Sequence, residues 1–320
     1  MSEIGVAMVG CGQIAEAHLK AIEACEGARL AYCVDVDSAR AQSAAERYAC
    51  NKHSVELGDA LTDSDVEAVV LCLPHDLHVS FTCDSLIAEK HVLVEKPMAL
   101  HEAEARVMVA AAEEAGRNLM VGQSTRFTPS HQEAKRLLAS GRIGKPINVV
   151  RQTCFWVEKL STDWRRKLDS CGGLYLPLFG SHDVDAMLWL LNDEPDRVSA
   201  AIRAGSDLSD GDINGWIGLT FLDGKLGSIA FSLRTKETRQ ATMIVGSEGS
   251  MTVERNRIFV EGEDVPFDSS AGAFTLQMKE FIESIRDGRA PSVPGSDGVR
   301  TMRVLDLARM ASEQQSGLAF

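Results

Sequence analysis

The chain has 320 residues, of which 45% are hydrophobic and 25% are charged, so it is long enough for two domains with separate cores. Its formal net charge of −13 excludes nucleic acid and anionic membrane surfaces as general partners. The eight cysteines form no Cys-x-x-Cys pair, and no run resembles a leader peptide or approaches a membrane span in length. We therefore expect a cytoplasmic protein with small-molecule ligands and no membrane association.

A glycine-containing turn follows the first predicted strand. The strand covers Ile4–Val9 as a continuous apolar run, and a helix is predicted over 16–23. The turn between them consists of Gly10, Cys11, Gly12, Gln13, Ile14 and Ala15. In this spacing the first glycine permits a tight turn, the second lets a pyrophosphate approach the backbone, and the small alanine allows helix and strand to pack closely. The pattern predicts a dinucleotide site.

Asp35 ends the second predicted strand, 30–34, at the distance from the glycine turn that the dinucleotide fingerprint requires. A carboxylate there accepts hydrogen bonds from the adenosine ribose and repels a 2′-phosphate. Asp35 therefore favours NAD over NADP, although an acidic residue can also simply end a strand. Arg40 is the nearby residue that could hold a 2′-phosphate, and it also fits a solvated helix position.

Strands and helices alternate through the rest of a first domain, residues 1–123. This alternation predicts an α/β domain with a parallel, doubly wound sheet. The further predicted strands are 52–55, 66–73, 91–94 and 119–121, and the further helices are 38–48, 76–88 and 102–115.

A second domain, 124–320, has a different pattern. Short strands with few helices between them, and a hairpin turn at Asp223-Gly224, predict a large, mostly antiparallel sheet in an α/β domain. The predicted strands are 147–156, 198–202, 216–221, 226–233, 241–245 and 257–260, and the predicted helices are 129–140, 186–191, 274–287 and 297–315.

The ends of the parallel strands carry the candidate chemistry of the first domain, because ligands of such sheets bind beyond the carboxyl ends of their strands. A lysine in Glu95-Lys96-Pro97 is placed to bind a hydroxyl group that is being oxidised, although it could also pair structurally with Glu95. His75 and His78 begin a helix after Pro74. Two histidines without a third ligand do not make a zinc site, so we expect backbone or capping roles near the cofactor and no metal.

His182 is the candidate acid or base of the second domain. It lies in Ser181-His182-Asp183-Val184-Asp185, just before the apolar helix predicted over 186–191. A histidine there could exchange a proton with a substrate oxygen while a carboxylate holds its second nitrogen. A capping or core histidine explains the same pattern equally well.

Taken together and in this order, the motifs resemble those of the glucose-fructose oxidoreductase, inositol dehydrogenase and MocA-like (Gfo/Idh/MocA) family of nicotinamide-dependent oxidoreductases. The matching segments are 10–15, Asp35, Leu73-Pro74, 95–97, Arg126-Phe127, 141–144, Trp164-Arg165, Gly172-Gly173, 180–185, 287–289 and Pro291. The resemblance implies a Rossmann domain that binds NAD, followed by an α/β domain whose open sheet forms a homodimer or homotetramer.

The resemblance also implies roles for individual residues. Lys96 would touch the reacting hydroxyl, and His182 would act as acid and base in the reversible oxidation of a secondary alcohol on a sugar, sugar acid or cyclitol. The expected substrate is a polyol, keto-sugar or sugar acid. Leu73, Pro74, His75, His78, Glu95 and Pro97 would surround the nicotinamide end of the cofactor. Further substrate contacts are expected from Arg126, Trp164, Arg165 and Tyr175.

Two positions depart from the family pattern, and the first is His75, where many members have an asparagine after the strand proline. The second lies before His182. Many members have an aspartate four residues before the catalytic histidine, whereas this chain has Leu178 there. An apolar side chain cannot orient an imidazole or relay its proton. The proton path could use another group, namely Tyr175, Asp169, Asp183 or Asp185; the substrate could need less acid-base help; or catalysis could be lost. The alternatives to a dehydrogenase are thus a non-catalytic dinucleotide sensor and an enzyme that recycles bound NAD.

Overall fold

The structure is a computed structural model that describes residues 3–314. Its first part is a run of parallel strands separated by helices. The strands are β1 Ile4–Val9, β2 Ala28–Val34, β3 His53–Ser54, β4 Ala68–Leu71, β5 His91–Glu95 and β6 Leu119–Gly122. The helices are α1 Ala15–Ala24, α2 Ser38–Arg47, α3 Leu57–Thr62, α4 His78–Ile87 and α5 Glu102–Ala115.

These strands form one six-stranded sheet in the order β3-β2-β1-β4-β5-β6, and every pairing in it is parallel. β1 and β4 are buried along their whole length, as their apolar sequences predict. The strand order reverses between β1 and β4. Ligands of doubly wound sheets bind beyond the carboxyl ends of the strands at such a switch point, which here is where the glycine turn lies.

The middle of the chain forms a second sheet. This part of the chain also contains the helices α6 Pro129–Ala139, α7 Leu168–Cys171 and α8 Ser181–Leu191. Its strands are β7 Pro146–Trp156, β8 Arg197–Ala204, β9 Asp212–Thr220, β10 Leu226–Ser232, β11 Arg234–Gly246, β12 Ser250–Glu254, β13 Ile258–Val260 and β14 Glu263–Asp264.

The second sheet has the order β14-β13-β12-β11-β7-β10-β9-β8 and is antiparallel except for the β7–β10 pair. The predicted turn at Asp223-Gly224 connects β9 to β10, and Gly224 takes the left-handed φ of 87° that the turn needs. α8 packs on β7 and β10. The opposite face carries the exposed side chains of Trp216, Leu226 and Met243. The predicted fold class is confirmed.

Two helices follow, α9 Ala273–Arg286 and α10 Gly295–Glu313. The chain divides into two compact units, which we call unit 1 (the chain up to Ser124, with Gly272–Val299) and unit 2 (Thr125–Ala271, with the chain from Arg300 onward). The predicted second domain covered all of 124–320, whereas Gly272–Val299 belongs to unit 1. The reason is that α9 packs on α1 and buries apolar side chains such as Met278 and Phe281.

Sequence patterns located most elements but shortened some of them. β11 begins at Arg234, seven residues before the predicted strand, because its first half is polar and exposed. α8 begins at Ser181 rather than at residue 186, because two aspartates in its first turns hide a buried helix start. β12, β14, α3 and α7 were missed, and the predicted end of the last helix at residue 315 lies outside the described residues. No helix within 3–314 is long and apolar enough to cross a membrane.

Candidate active site

The glycine turn of unit 1 has the geometry that its spacing predicts. Gly10 has a φ of 85°, and a Cβ at this position would lie 2.3 Å from the carbonyl oxygen of Cys72, so only glycine fits. Gly12 has no atom within 4 Å of the place where a Cβ would be. Gln13 and Ile14 are exposed just before the first turn of α1. The turn therefore presents open backbone at a helix N-terminus, which suits a phosphate.

Asp35 lies directly beside this turn and is only 7% exposed. Its Oδ2 accepts a hydrogen bond of 2.8 Å from the backbone N–H of Cys11, and its Oδ1 accepts one of 2.9 Å from that of Asp37. The guanidinium of Arg40 is 3.0 Å from the same Oδ1 and is half exposed. Asp35 thus links the end of β2 to the glycine turn, and Arg40 neutralises its charge.

These residues fit a dinucleotide. The open space above Gly12 lies at the N-terminus of α1, and Asp35 places a carboxylate where an adenosine ribose would be bound. Gly10, Gly12 and Asp35 would hold the cofactor, with Arg40 at its adenosine end.

The ends of β4 and β5 are tied together by a buried histidine. His78 Nδ1 is 2.8 Å from the carbonyl oxygen of Pro97, and its Nε2 is 3.1 Å from that of Leu73. Burial lowers the pKa of His78, although both carbonyl contacts oppose this effect. Pro74 is followed by a 3₁₀ turn that begins at the buried His75. These contacts give His78 two backbone partners, and the role of His75 near the cofactor stays a prediction.

Lys96 follows β5 directly, and its side chain is half-buried. The preceding residue, Glu95, is buried, and its Oε2 accepts a 3.0 Å hydrogen bond from the backbone N–H of Lys96. Its Oε1 is 2.8 Å from His18 Nε2. Burial would by itself raise the pKa of Glu95, but the His18 hydrogen bond and the charge of Lys96 more than offset this and lower it. The Lys96 backbone N–H is therefore held by a hydrogen bond to a buried carboxylate.

In unit 2, His182 lies in the first turn of α8 and is half-buried. A single π-helical turn, Leu176–Gly180, leads into the helix. Leu178, at the position where an aspartate was expected from the family pattern, is 9% exposed. The turn before His182 is therefore apolar, and any carboxylate partner has to come from elsewhere in the chain.

Asp183 points into the interior of unit 2. It accepts a 2.5 Å hydrogen bond from the Tyr175 hydroxyl and one of 2.8 Å from Arg151 Nε on β7. Tyr175 is fully buried and stacks on Phe231 with ring centroids 3.7 Å apart. Burial and the adjacent carboxylate raise the pKa of Tyr175 well above its usual value. The buried position of Tyr175 does not support its predicted contact with a substrate.

Asp185 and Arg126 form a second buried pair. Two hydrogen bonds of 2.7 and 2.6 Å join the Arg126 guanidinium to the carboxylate, and the side chains are 4% and 0% exposed. The guanidinium also lies 5.9 Å from the ring centre of Trp189 on the same helix. Arg126 was expected to touch substrate, but here it holds α8 from the 3₁₀ turn just before α6. Of the four candidate proton-path groups, Asp169 in α7 is exposed, and the other three have these interior partners.

The predicted substrate residues Trp164 and Arg165 lie together in a 3₁₀ turn, Asp163–Arg166. The Arg165 guanidinium is 5.3 Å from the ring centre of Trp164 and donates a hydrogen bond to Ser161 Oγ. Burial lowers the pKa of Arg165. Both side chains are half-buried, and they remain candidate ligand contacts.

Two supporting residues were missed. Asp212 on β9 accepts hydrogen bonds of 3.0 and 2.5 Å from the backbone N–H groups of Leu174 and Leu176, at the start of the π turn before His182. No local pattern marks it. His18 occupies the apolar face of α1 with Ala15 and Ile22, and a polar residue on that face was the available signal. No cluster of three or more metal-ligating side chains occurs among residues 3–314.

Family models match both parts of the chain. A model described as an oxidoreductase family with an NAD-binding Rossmann fold matches residues 4–123, and the Gfo/Idh/MocA C-terminal domain matches residues 131–252. The chain belongs to the Gfo/Idh/MocA oxidoreductase family. This membership confirms the predicted Rossmann fold, the NAD cofactor and the oxidoreductase class.

Individual relatives extend over nearly the whole chain. It is 26% identical to inositol 2-dehydrogenase of Rhizobium meliloti, covering 98% of both chains, and 27% identical to 1,5-anhydro-D-fructose reductase of Ensifer adhaerens, covering 91% of both. Aldose-aldose oxidoreductase from Caulobacter crescentus superimposes with a TM-score of 0.90 at 26% identity, over 99% of this chain and 100% of the other. Levoglucosan dehydrogenase in complex with NADH and levoglucosan shares the fold, with a TM-score of 0.90 at 20% identity and 98% of both chains covered.

Proposed function

We propose that the protein is an NAD-dependent dehydrogenase that interconverts a secondary alcohol and a ketone on a sugar, sugar acid or cyclitol. The observation that carries the proposal is the junction at the end of β5, where Lys96 follows a buried, hydrogen-bonded Glu95 in the unit that holds the dinucleotide turn. Relatives named inositol 2-dehydrogenase and 1,5-anhydro-D-fructose reductase support the substrate class.

Bound NAD supplies the hydride acceptor or donor for this reaction. The Lys96 ammonium donates a hydrogen bond to the substrate oxygen and stabilises the negative charge that develops there. His182 takes the hydroxyl proton during oxidation and returns it during reduction. Both roles are carried over from the family motifs to the matching positions of this chain.

The proton at His182 has to be exchanged without the family aspartate. We propose that it passes directly to water or to substrate, because Tyr175, Asp183 and Asp185 have interior hydrogen-bond partners. Under this proposal these three residues and Arg126 hold α8 in place and thereby position His182. Trp164 and Arg165 are the proposed side-chain contacts to substrate, since an arginine suits a carboxylate or phosphate group.

We further propose a homodimer or homotetramer assembled through the open face of the second sheet. Trp216, Leu226 and Met243 on that face are 46%, 49% and 42% exposed. The strand register places the three side chains on one surface, because Trp216 pairs with Ala230, Met243 and Ser228 both pair with Val150, and residues 226, 228 and 230 of β10 point to the same face. Sedimentation of the wild type against Trp216→Asp, with dissociation expected in the variant, tests this assembly.

The function is tested with purified protein, NAD and a panel of cyclitols, polyols, keto-sugars and sugar acids. We expect turnover on at least one of them, and we expect Lys96→Ala to lower it by about 10²-fold or more while NADH affinity changes less than about threefold. Lys20→Ala, an exposed lysine on α1, is the matched control and should leave both quantities unchanged.

Three outcomes contradict the proposal. Turnover of Lys96→Ala at the wild-type rate removes Lys96 from the mechanism. Tight NADH binding by the wild type without turnover of any compound favours the non-catalytic sensor, for which Leu178 is the supporting observation. Cofactor that stays bound through purification, with hydride passed from one sugar to another, indicates internal recycling instead.

A further inference from the structure

A histidine of α1 lies under the candidate catalytic lysine. His18 is fully buried, and its Nε2 is 2.8 Å from Glu95 Oε1. Glu95 is charged, so it can only accept, and Nε2 must carry the proton. His18 Nδ1 is buried and has no hydrogen-bond partner within residues 3–314. The contact with Glu95 is therefore the one hydrogen bond of the ring among the described residues.

Both carboxylate oxygens of Glu95 accept hydrogen bonds. Oε1 accepts from His18 and Oε2 accepts from the backbone N–H of Lys96, so the side chain is fixed at both ends. Gly122 at the end of β6 leaves room for it, because a Cβ there would lie 3.2 Å from Oε1. The carboxylate is therefore enclosed by α1, β5 and β6 of unit 1.

The ring of His18 is itself held in place. Phe274 of α9 meets it edge to face, with ring centroids 5.0 Å apart and an interplanar angle of 84°. This contact joins residues more than 250 positions apart, in α1 and α9 of unit 1. The imidazole therefore cannot turn away from Glu95 without losing a packed aromatic contact.

We propose that His18 is a positioning residue for the reaction, which holds the Glu95 carboxylate against the Lys96 backbone and so sets the place and surroundings of the Lys96 ammonium. The inference rests on the proposed function of Lys96. His18 touches neither substrate nor cofactor under this proposal and acts only through Glu95.

Removal of the His18 donor has a defined consequence. Glu95 would keep its burial and lose its strongest hydrogen bond, so its pKa would rise. A protonated Glu95 no longer attracts the Lys96 ammonium by charge, and it holds the Lys96 backbone N–H through a weaker hydrogen bond. The titratable or charged groups facing Glu95 are His18 from α1, Lys96, Cys72 after β4 and His78 from α4.

The test compares His18→Leu with His18→Gln. The leucine fills the space without a donor, whereas the glutamine amide places an N–H near the position of Nε2. We expect His18→Leu to lower kcat about tenfold or more, to change the KM for NAD less than about twofold and to move the acid limb of the kcat profile to higher pH. His18→Gln should recover most of kcat.

Two further variants separate positioning from packing. Ile22→Ala, one turn further along α1, creates a cavity in the same helix and should lower the melting temperature without moving the pH profile. Glu95→Gln should lower kcat as His18→Leu does, and the double variant should be no slower than Glu95→Gln alone. Should His18→Leu fail to fold, His18→Met, which also lacks a donor, replaces it in the same cycle.

A measurement that does not require enzymatic turnover completes the test. Carbon-13 NMR of labelled glutamate, with the Glu95 signal identified by its absence in Glu95→Gln, follows the carboxyl titration directly. A higher Glu95 pKa in His18→Leu supports the pair even if no compound is turned over, in which case only the proposed function fails. The inference is overturned by an unchanged titration, by multiplying effects in the double variant, or by equal loss of kcat in Ile22→Ala.

Discussion

The two units build their candidate site residues in different ways. In unit 1 the glycine turn and the ends of β2, β4 and β5 present backbone groups, and Asp35 accepts hydrogen bonds from the backbone N–H groups of Cys11 and Asp37, at the spacing that the motif specifies. In unit 2 the helix that carries His182 is held by ion pairs from Arg126, in the turn before α6, and from Arg151 on β7. A site made of backbone follows from local sequence. A site held by distant side chains depends on pairings that only the folded sheet creates.

The largest expected effect comes from the two glycines of unit 1. Gly10→Ala puts a Cβ 2.3 Å from the Cys72 carbonyl oxygen at a φ of 85°, so we expect a loss of stability above about 4 kcal/mol. Gly12→Ala meets no protein atom and should unfold like the wild type, yet lose NADH affinity about 10²-fold because the methyl group occupies the phosphate position. Chemical denaturation and NADH fluorescence titration check both. Equal NADH affinity in Gly12→Ala would show that the backbone does not form the site.

The next largest effect concerns the buried pair of unit 2. Arg126→Leu leaves the Asp185 carboxylate buried without its partner and should cost about 3–5 kcal/mol, whereas Arg126→Leu with Asp185→Leu should recover most of that loss. All four tryptophans, residues 156, 164, 189 and 216, lie in unit 2, so their fluorescence follows its unfolding. Full activity in the double variant would remove this pair from the positioning of His182.

A pH effect also separates the units. Burial, with a smaller contribution from the charge of Arg151, lowers the pKa of His131 in unit 2 to about 3, and burial lowers that of His91 in unit 1 to about 4. The native state therefore binds fewer protons than the unfolded chain below about pH 6.5. As the pH falls from there towards the native-state pKa, each histidine lowers the free energy of unfolding by about 1.4 kcal/mol per pH unit.

Substitution of each histidine by glutamine tests this expectation. Stability measured by denaturation from pH 7 to pH 4 should fall less steeply in His131→Gln than in the wild type, and the change should be seen by tryptophan fluorescence. His91→Gln should affect the unit 1 transition, followed by NADH release. A slope unchanged in both variants would contradict the assignment of neutral, buried histidines.

The smallest expected effect is on cofactor choice. Asp35→Ala removes the carboxylate that repels a 2′-phosphate and frees Arg40 to attract it, so the ratio of NADPH to NADH affinity should rise about tenfold, equivalent to about 1.4 kcal/mol. The change also removes the hydrogen bond from Cys11, so NADH affinity itself should fall. Arg40→Ala is the control and should leave the preference for NADH intact. Better NADPH binding by the wild type would contradict the role given to Asp35.

The strands of unit 1 were largely predictable because their periodicity is local. β1 and α5 have the predicted bounds, since continuous apolar residues mark a strand buried on both faces and Gly116 ends a helix in a left-handed conformation. β11 was only half found because its exposed first half carries no apolar alternation. Arg126 and Tyr175 were expected at the substrate, and nothing in their sequence neighbourhood indicates Asp185 and Asp183 as partners within the fold.

The sequence by itself determined the glycine turn, Asp35, the Glu95-Lys96-Pro97 junction and the family, because these depend on residues that are close along the chain. Tertiary structure alone decided that α9 joins unit 1, that His18 lies against Glu95, and that Asp183, Asp185 and Asp212 act inside unit 2. The physical reason is that a buried charge requires a partner, while composition and periodicity do not indicate which distant residue provides it.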